Sequence, residues 1–213
     1  MVISHRKERE KSLRRQSILK SAKKIIAKSG VEEMSMNRLA EATELNKATL
    51  YLYFANKDDL IDAIVYEGLQ VLETKLQESD SRSEAGLERV LNQVHTIFSF
   101  YRQHPVYFYT FNHQERRPSS LRTEGPFAEK GNEIASRVFG KTATALKLGI
   151  EQGNIRKNVD TNVFLILMFA QIYGVMHTVY AKADVYEDLL ALDTVTIEQS
   201  TIDSLRYYLE VKQ

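Results

Sequence analysis

The sequence predicts an all-α fold, a three-helix N-terminal domain followed by a larger helical domain, and three observations carry that prediction. Apolar residues recur at spacings of three and four along nearly all of the 213-residue chain, the spacing that lines one face of an α-helix. Only three prolines and nine glycines punctuate it, and no run alternates with the period of two that a strand requires. Residues 35 to 59, SMNRLAEATELNKATLYLYFANKDD, compress two short helices, a tight turn and the start of a further helix.

The first helix is expected to carry Ile18, Ala22, Ile25 and Ile26 on its buried stripe and Lys20, Lys23, Lys24 and Lys28 on its polar face, ending at Ser29-Gly30 with Gly30 as the C-terminal cap. Ser35 precedes MNRLAEAT and can accept from a free backbone N–H, so it caps the second helix. A third is expected over about Asn46 to Tyr53. Asn56 then opens a fourth, with Asp58 and Asp59 in the turn where the exposed N–H groups favour negative charge, running to about Ser79. The stretch SDSRSEAG is a polar break. After it Leu87, Val90, Leu91, Val94, Ile97, Phe98 and Tyr101 form the apolar side of a fifth helix, which His104-Pro105 stops or kinks.

Val106 to Phe111 is aromatic, and HQERRPSSLRTEGP, broken twice by proline, reads as a loop. Helices over about Phe127 to Gln152 and Thr161 to Ala181 follow. In the second, TNVFLILMFAQIYGVMHTVY, apolar residues occupy almost every face, which implies burial on several sides, by its own bundle and by a second subunit. After a loop near Asp184, a last amphipathic helix is expected from about Thr196 to Val211.

At 43% hydrophobic content the chain can bury a substantial core. The net charge of +1 conceals an asymmetry: residues 1–60 hold 13 Lys and Arg against 8 Asp and Glu, residues 61–213 hold 16 against 20. Charge alone is compatible with a merely solvated surface, but the basic end is the end with the helix–turn–helix spacing, which points to a polyanion there. The absence of cysteine removes disulfides, thiolate metal sites and cysteine nucleophiles. The basic start MVISHRKEREKSLRRQ lacks the apolar core of a secretory signal, and no stretch approaches about 18 uninterrupted apolar residues. A soluble cytoplasmic protein, without membrane association, is the expectation.

Within residues 35–59, Leu39, Ala40, Leu45, Leu50 and Phe54 supply a buried side, whereas Asn37, Asn46, Lys47, Thr49, Tyr51, Tyr53 and Lys57 remain available for hydrogen bonds to DNA. That division is what a helix–turn–helix needs. Base edges are read from the leading end of the second helix of such a pair. Lys47 there can donate to guanine O6 or N7, Ala48 can touch a thymine methyl, Asn46 lies at the same leading end, and Asn37 on the chain's second helix can reach the adjoining bases or backbone. Residues 5–15, with His5, Arg6, Lys7, Arg9, Lys11, Arg14 and Arg15, admit two readings: an arm along a phosphate strand or in the minor groove, or a frayed, solvated helix end. One recognition helix covers too few base pairs for genomic specificity, so a homodimer on a palindromic double-stranded operator is expected.

These first 60 residues resemble the tetracycline-repressor-like (TetR) family of bacterial and archaeal transcription regulators. The resemblance rests on Gly30, Ser35, Thr49-Leu50-Tyr51-Leu52-Tyr53-Phe54 and Lys57-Asp58-Asp59-Leu60. GIEQGNIRKNVDTNVFLILMFAQIYGVM is similar to the family's C-terminal pattern, while residues 80–140 match nothing in it. The resemblance implies a helix–turn–helix domain over 1–57, its first dozen residues a candidate flexible arm, and a ligand-binding and dimerisation domain over 58–213 whose last two helices pair as a four-helix bundle. It implies phosphate contacts from Ser35, Thr49, Tyr51, Tyr53 and Lys57, although both tyrosines also suit plain packing. One departure concerns the turn, where the family commonly has glycine and this chain has Glu44. A positive φ there costs on the order of 1 kcal/mol for a non-glycine residue.

Many members of the family release DNA when a small molecule fills a cavity among the middle helices. By composition, Phe98, Tyr101, Tyr107, Phe108, Phe111, Phe164, Met168, Phe169, Tyr173, Met176 and His177 could line such a cavity for a small hydrophobic effector, or could be ordinary core. A repressor is the expected regulator, and a DNA-binding protein of the same fold that acts through a protein partner is the alternative. No catalytic role, metal site or cofactor is expected, since His95, His104, His113 and His177 are scattered without metal-ligand spacing and there is no glycine-rich phosphate loop.

Overall fold

The computed structural model describes residues 2–81, 85–118, 125–180 and 188–211. Among them the regular structure is helical: α1 (Val2–Ser29), α2 (Met36–Thr43), α3 (Lys47–Tyr51), α4 (Lys57–Asp80), α5 (Gly86–Gln103), α6 (Pro105–Glu115), α7 (Pro126–Glu151), α8 (Thr161–Tyr180) and α9 (Thr194–Leu209). A single isolated bridge joins Ile155 and Glu210. The centre of the polar break, most of the proline-flanked loop and the loop expected near Asp184 lie outside the described residues.

Two expectations are corrected. Pro105 does not merely stop α5; it is the first residue of α6, where a missing N–H removes no hydrogen bond because the first N–H groups of a helix have no acceptor within it. The aromatic stretch therefore continues as helix through Glu115, and His113, Gln114 and Glu115, read as loop, are helical. The recognition helix is shorter than expected and closes at Tyr51. Residues 5–15 continue α1 without interruption.

The chain divides into two compact units, one of Met1–Leu69 with His104–Glu133, the other of Gln70–Gln103 with Ile134–Gln213. The core of the first gathers Ile18, Ala22, Ile26, Met34, Leu39, Leu50, Phe54, Leu60, Ile61 and Ile64, all but inaccessible. Two polar clusters cross it. Lys23 of α1 and the Tyr107 hydroxyl of α6 both donate to the Glu67 carboxylate of α4, the latter at 2.8 Å. Burial pulls the Lys23 ammonium down, but the Glu67 hydrogen bond and nearby charge outweigh it and hold its pKa above the ordinary value. Nearby, buried Asp62 pairs with Arg117 and accepts from Gln114 at 2.9 Å. Burial pushes the Asp62 carboxyl up despite these donors.

In the second unit α9 packs against α5 and α8. A Cβ on Gly86 would fall 2.1 Å from the backbone nitrogen of Gly149, so α5 and α7 approach there as closely as only glycine allows. Buried Glu198 accepts from Tyr180 at 2.9 Å and pairs with Arg102, while Thr142 donates to Gln93 and Gln93 to Asp80, both at 2.7 Å. By length and mean hydropathy α8 is apolar enough to cross a membrane, although only 33% of the qualifying stretch is buried within the chain. The uninterrupted-run count did not anticipate this, because Gln171 and His177 dilute the run without cancelling its hydropathy.

Candidate nucleic-acid interface

The helix–turn–helix is held by caps at each end of its parts. Gly30, at φ +81°, closes α1, its N–H donating to the Ile26 carbonyl at 2.8 Å. Ser35, in extended backbone, accepts from the Arg38 N–H through Oγ at 3.2 Å and so starts α2. The Arg38 guanidinium reaches back to Ser29 Oγ at 3.0 Å, tying the end of α1 to the start of α2. Asn46 caps α3, its Oδ1 accepting from the Thr49 N–H at 2.7 Å and from the Thr49 hydroxyl at 2.8 Å. Asn56 and Asp59 cap α4 reciprocally: Asn56 Oδ1 accepts from the Asp59 N–H at 2.8 Å, and Asp59 Oδ2 from the Ala55 N–H at 2.9 Å.

Between α2 and α3, Glu44 adopts φ +54° and ψ +30°, the left-handed conformation that a glycine would take freely. Its N–H and that of Leu45 return to carbonyls of α2, the Leu45 donor reaching Ala40 at 3.0 Å, so the turn keeps its hydrogen bonds at the expense of backbone strain.

On this frame α3 buries Leu50 completely and leaves its leading edge outside. Asn37, Asn46, Lys47 and Ala48 are exposed, and a shallow groove between α2 and α3 is lined by Asn37, Ala40, Glu41, Glu44, Leu45, Asn46 and Lys47. Three of the four candidate base-reading residues, Asn37, Asn46 and Lys47, thus line one groove, and Ala48 is exposed on α3 next to Lys47. Capping divides the work of Asn46: its oxygen is taken, so its amide N–H₂ is the group free for a base acceptor. Ser35 keeps a hydroxyl proton to donate although its oxygen accepts.

Thr49 is differently placed, since its hydroxyl already donates to Asn46 and must rotate to serve a phosphate. Tyr51 is 50% exposed and Tyr53 partly covered. Lys57, first residue of α4, lies 3.4 Å from the Glu32 carbonyl. Leu52, which the sequence reading left without a role, is 75% exposed at the end of α3; a leucine in a Tyr-x-Tyr frame carries no signal of that exposure.

The candidate effector residues are divided. Tyr107, Phe108 and Phe111 belong to the first unit; Phe98, Tyr101, Phe164, Met168, Tyr173 and His177 belong to the second. Phe98, Phe164 and Met168 are buried, and Phe169, Tyr173 and His177 follow one another along α8 with ring centroids 5.9 and 6.0 Å apart. Burial pushes the Tyr101 hydroxyl well above its ordinary value. Among the described residues no group of three or more His, Asp or Glu could hold a metal.

Residues 18–64 match the model of the bacterial regulatory proteins, tetR family. The fatty acid metabolism regulator protein of Bacillus subtilis (strain 168) is 24% identical over 182 residues, covering 85% of this chain and 90% of that protein. Similar folds occur in the ketosteroid transcriptional regulator KstR2 of Mycobacterium tuberculosis, with TM-score 0.71, 16% identity and coverage of 93% of this chain and 96% of that one. The transcriptional regulator FadR from Bacillus subtilis, solved in complex with stearoyl-CoA, gives TM-score 0.70, 20% identity and coverage of 91% and 98%.

Proposed function

From the premise that the chain belongs to the tetR family of bacterial regulatory proteins, we propose that it is a sequence-specific repressor that binds a palindromic operator as a homodimer and leaves it when a small, largely apolar ligand binds. The observation that supports this reading is the capped pair α2–α3, in which Leu39 and Leu50 are buried while Asn37, Asn46 and Lys47 line one exposed groove and Ala48 is exposed beside them. In this reading Lys47 and Ala48 read base edges, Asn37 and the Asn46 amide reach adjoining ones, and Ser35, Thr49, Tyr51, Tyr53 and Lys57 hold phosphates.

The homodimer is supported by α8. Val163, Ile166, Leu167, Ala170 and Gly174 recur at helical spacing on its exposed side, while Phe164, Met168, Ile172 and Met176 face inward. A helix apolar on both sides needs a partner on the second, and a self-complementary face meeting its copy about a two-fold axis supplies one.

The apolar effector is supported by the buried aromatic and methionine side chains of the second unit and by the nature of the relatives, one a fatty acid metabolism regulator and one solved with stearoyl-CoA. Release is a population shift: ligand favours a dimer whose two recognition helices no longer match successive major grooves.

The test is selection of bound sites from random duplex DNA, followed by challenge of the winning complex with fatty acids, acyl-CoA thioesters and sterols. The expected result is a palindromic consensus and dissociation by one compound class. Indifference to every compound favours action through a protein partner, and absence of any enriched sequence overturns DNA recognition.

A further inference from the structure

Residues 5–14 of α1 contribute no side chain to the core. They are exposed, and the first core residue of the helix is Ile18. What they carry is charge: residues 5–15 hold six Lys and Arg against two Glu. One face of this extension forms a wall of an open groove of about 900 Å³, lined by Lys7, Glu10, Lys11, Leu13, Arg14, Ser17 and Ile18 of α1 and, opposite, by Thr43, Leu45, Thr49, Leu52 and Tyr53. The single acid in it, Glu10, is paired with Arg6 at 2.9 Å, so its charge is compensated from the same helix.

We propose that this groove seats a sugar–phosphate strand of duplex DNA beside the bases met by α3, with Lys7, Lys11 and Arg14 on one wall and Thr49 and Tyr53 on the other. The inference rests on the DNA-binding reading above and extends its footprint to a second helix. Lys7, Lys11 and Arg14 follow at i, i+4 and i+7 and so share one side of α1 over roughly 10 Å. Successive phosphates of one strand advance about 3.4 Å along the duplex axis, so the row spans about three of them. Flexible cations without a rigid base-facing geometry add affinity and set register without adding sequence preference.

The experiment compares salt titrations of operator and scrambled duplexes for the unsubstituted protein, the K7Q/K11Q/R14Q variant, and a K24Q/K28Q control whose exposed lysines lie elsewhere on α1. All three are first checked by circular dichroism and melting, since every substituted side chain is exposed. The groove variant is expected to lose about 0.9 of log–log salt slope per phosphate contact, or about 2.7 per subunit, with the operator-to-scrambled ratio retained and the control unchanged. An unchanged slope in the groove variant, or an equal loss in the control, overturns the groove as a strand seat. Absence of operator preference in the wild-type protein overturns the underlying DNA reading instead, so the two failures are distinguishable.

Discussion

Helices α3 and α8 are opposite solutions to the problem of giving a helix a face. The five residues of α3 are too few to persist alone; it exists because Asn46 caps it and Leu50 anchors it, and its remaining side chains are left to meet something polar. The twenty residues of α8 need no such support, yet Ile166 remains 65% exposed among other apolar side chains. The first helix is legible residue by residue because each role is local. The second is apolar throughout, and the division between core and partner emerges only when the chain is folded.

Cutting the anchor of α3 is the largest way to break this contrast. Leu50→Ala removes a fully buried side chain in a thin layer, with an expected loss of about 3 kcal/mol from stability, measured by urea denaturation followed by circular dichroism. A loss below about 1 kcal/mol would mean that the caps alone hold α3.

The next largest effect should come from α8. Ile166→Glu puts a charge on the exposed face of α8 without touching the core, so the folded protomer should survive while sedimentation shows a monomer. Operator affinity should then fall about a hundredfold, on the order of 2.7 kcal/mol, because the second half-site no longer binds with the first. Retention of a dimer would remove α8 from the proposed interface.

Within the first unit the contrast can be sharpened between base and phosphate. Lys47→Ala should cost about 1–3 kcal/mol on the operator and little on scrambled DNA, whereas Lys57→Ala should weaken both by a similar, smaller factor and lower the salt slope by about one. Filter binding across a salt series reads both quantities, and reversal of the two patterns would reassign the roles.

What the sequence disclosed follows the same divide. Gly30, Ser35 and Asn56 announce their places at helix ends because capping involves donors within three or four residues, whereas Asn46, expected inside the third helix as a base reader, is found to be its cap. The placement of Pro105 was ambiguous in principle, since the same residue ends one helix and begins another. The Asp62–Arg117 pair joins residues 55 apart and leaves no periodic trace. The aromatic residues were recognisable as buried types, but their division between two units depends on tertiary contacts that composition does not encode.

The smallest effect concerns Glu44, where the local code was broken and the fold kept. At φ +54° its backbone carries strain on the order of 1 kcal/mol, which glycine would relieve, partly offset by the greater freedom glycine gains in the unfolded chain. Glu44→Gly should therefore raise stability by at most about 1 kcal/mol. Because Glu44 also lines the groove beside Asn37 and Lys47, its removal takes an acid from the surface proposed to meet DNA and should strengthen binding to every sequence. Glu44→Gln separates the two contributions: it keeps the strained backbone and removes only the charge. If Gln reproduces the affinity gain of Gly but not its stability gain, strain and charge act independently at this turn. If Gly alone improves affinity, the strained turn itself is misaiming α3.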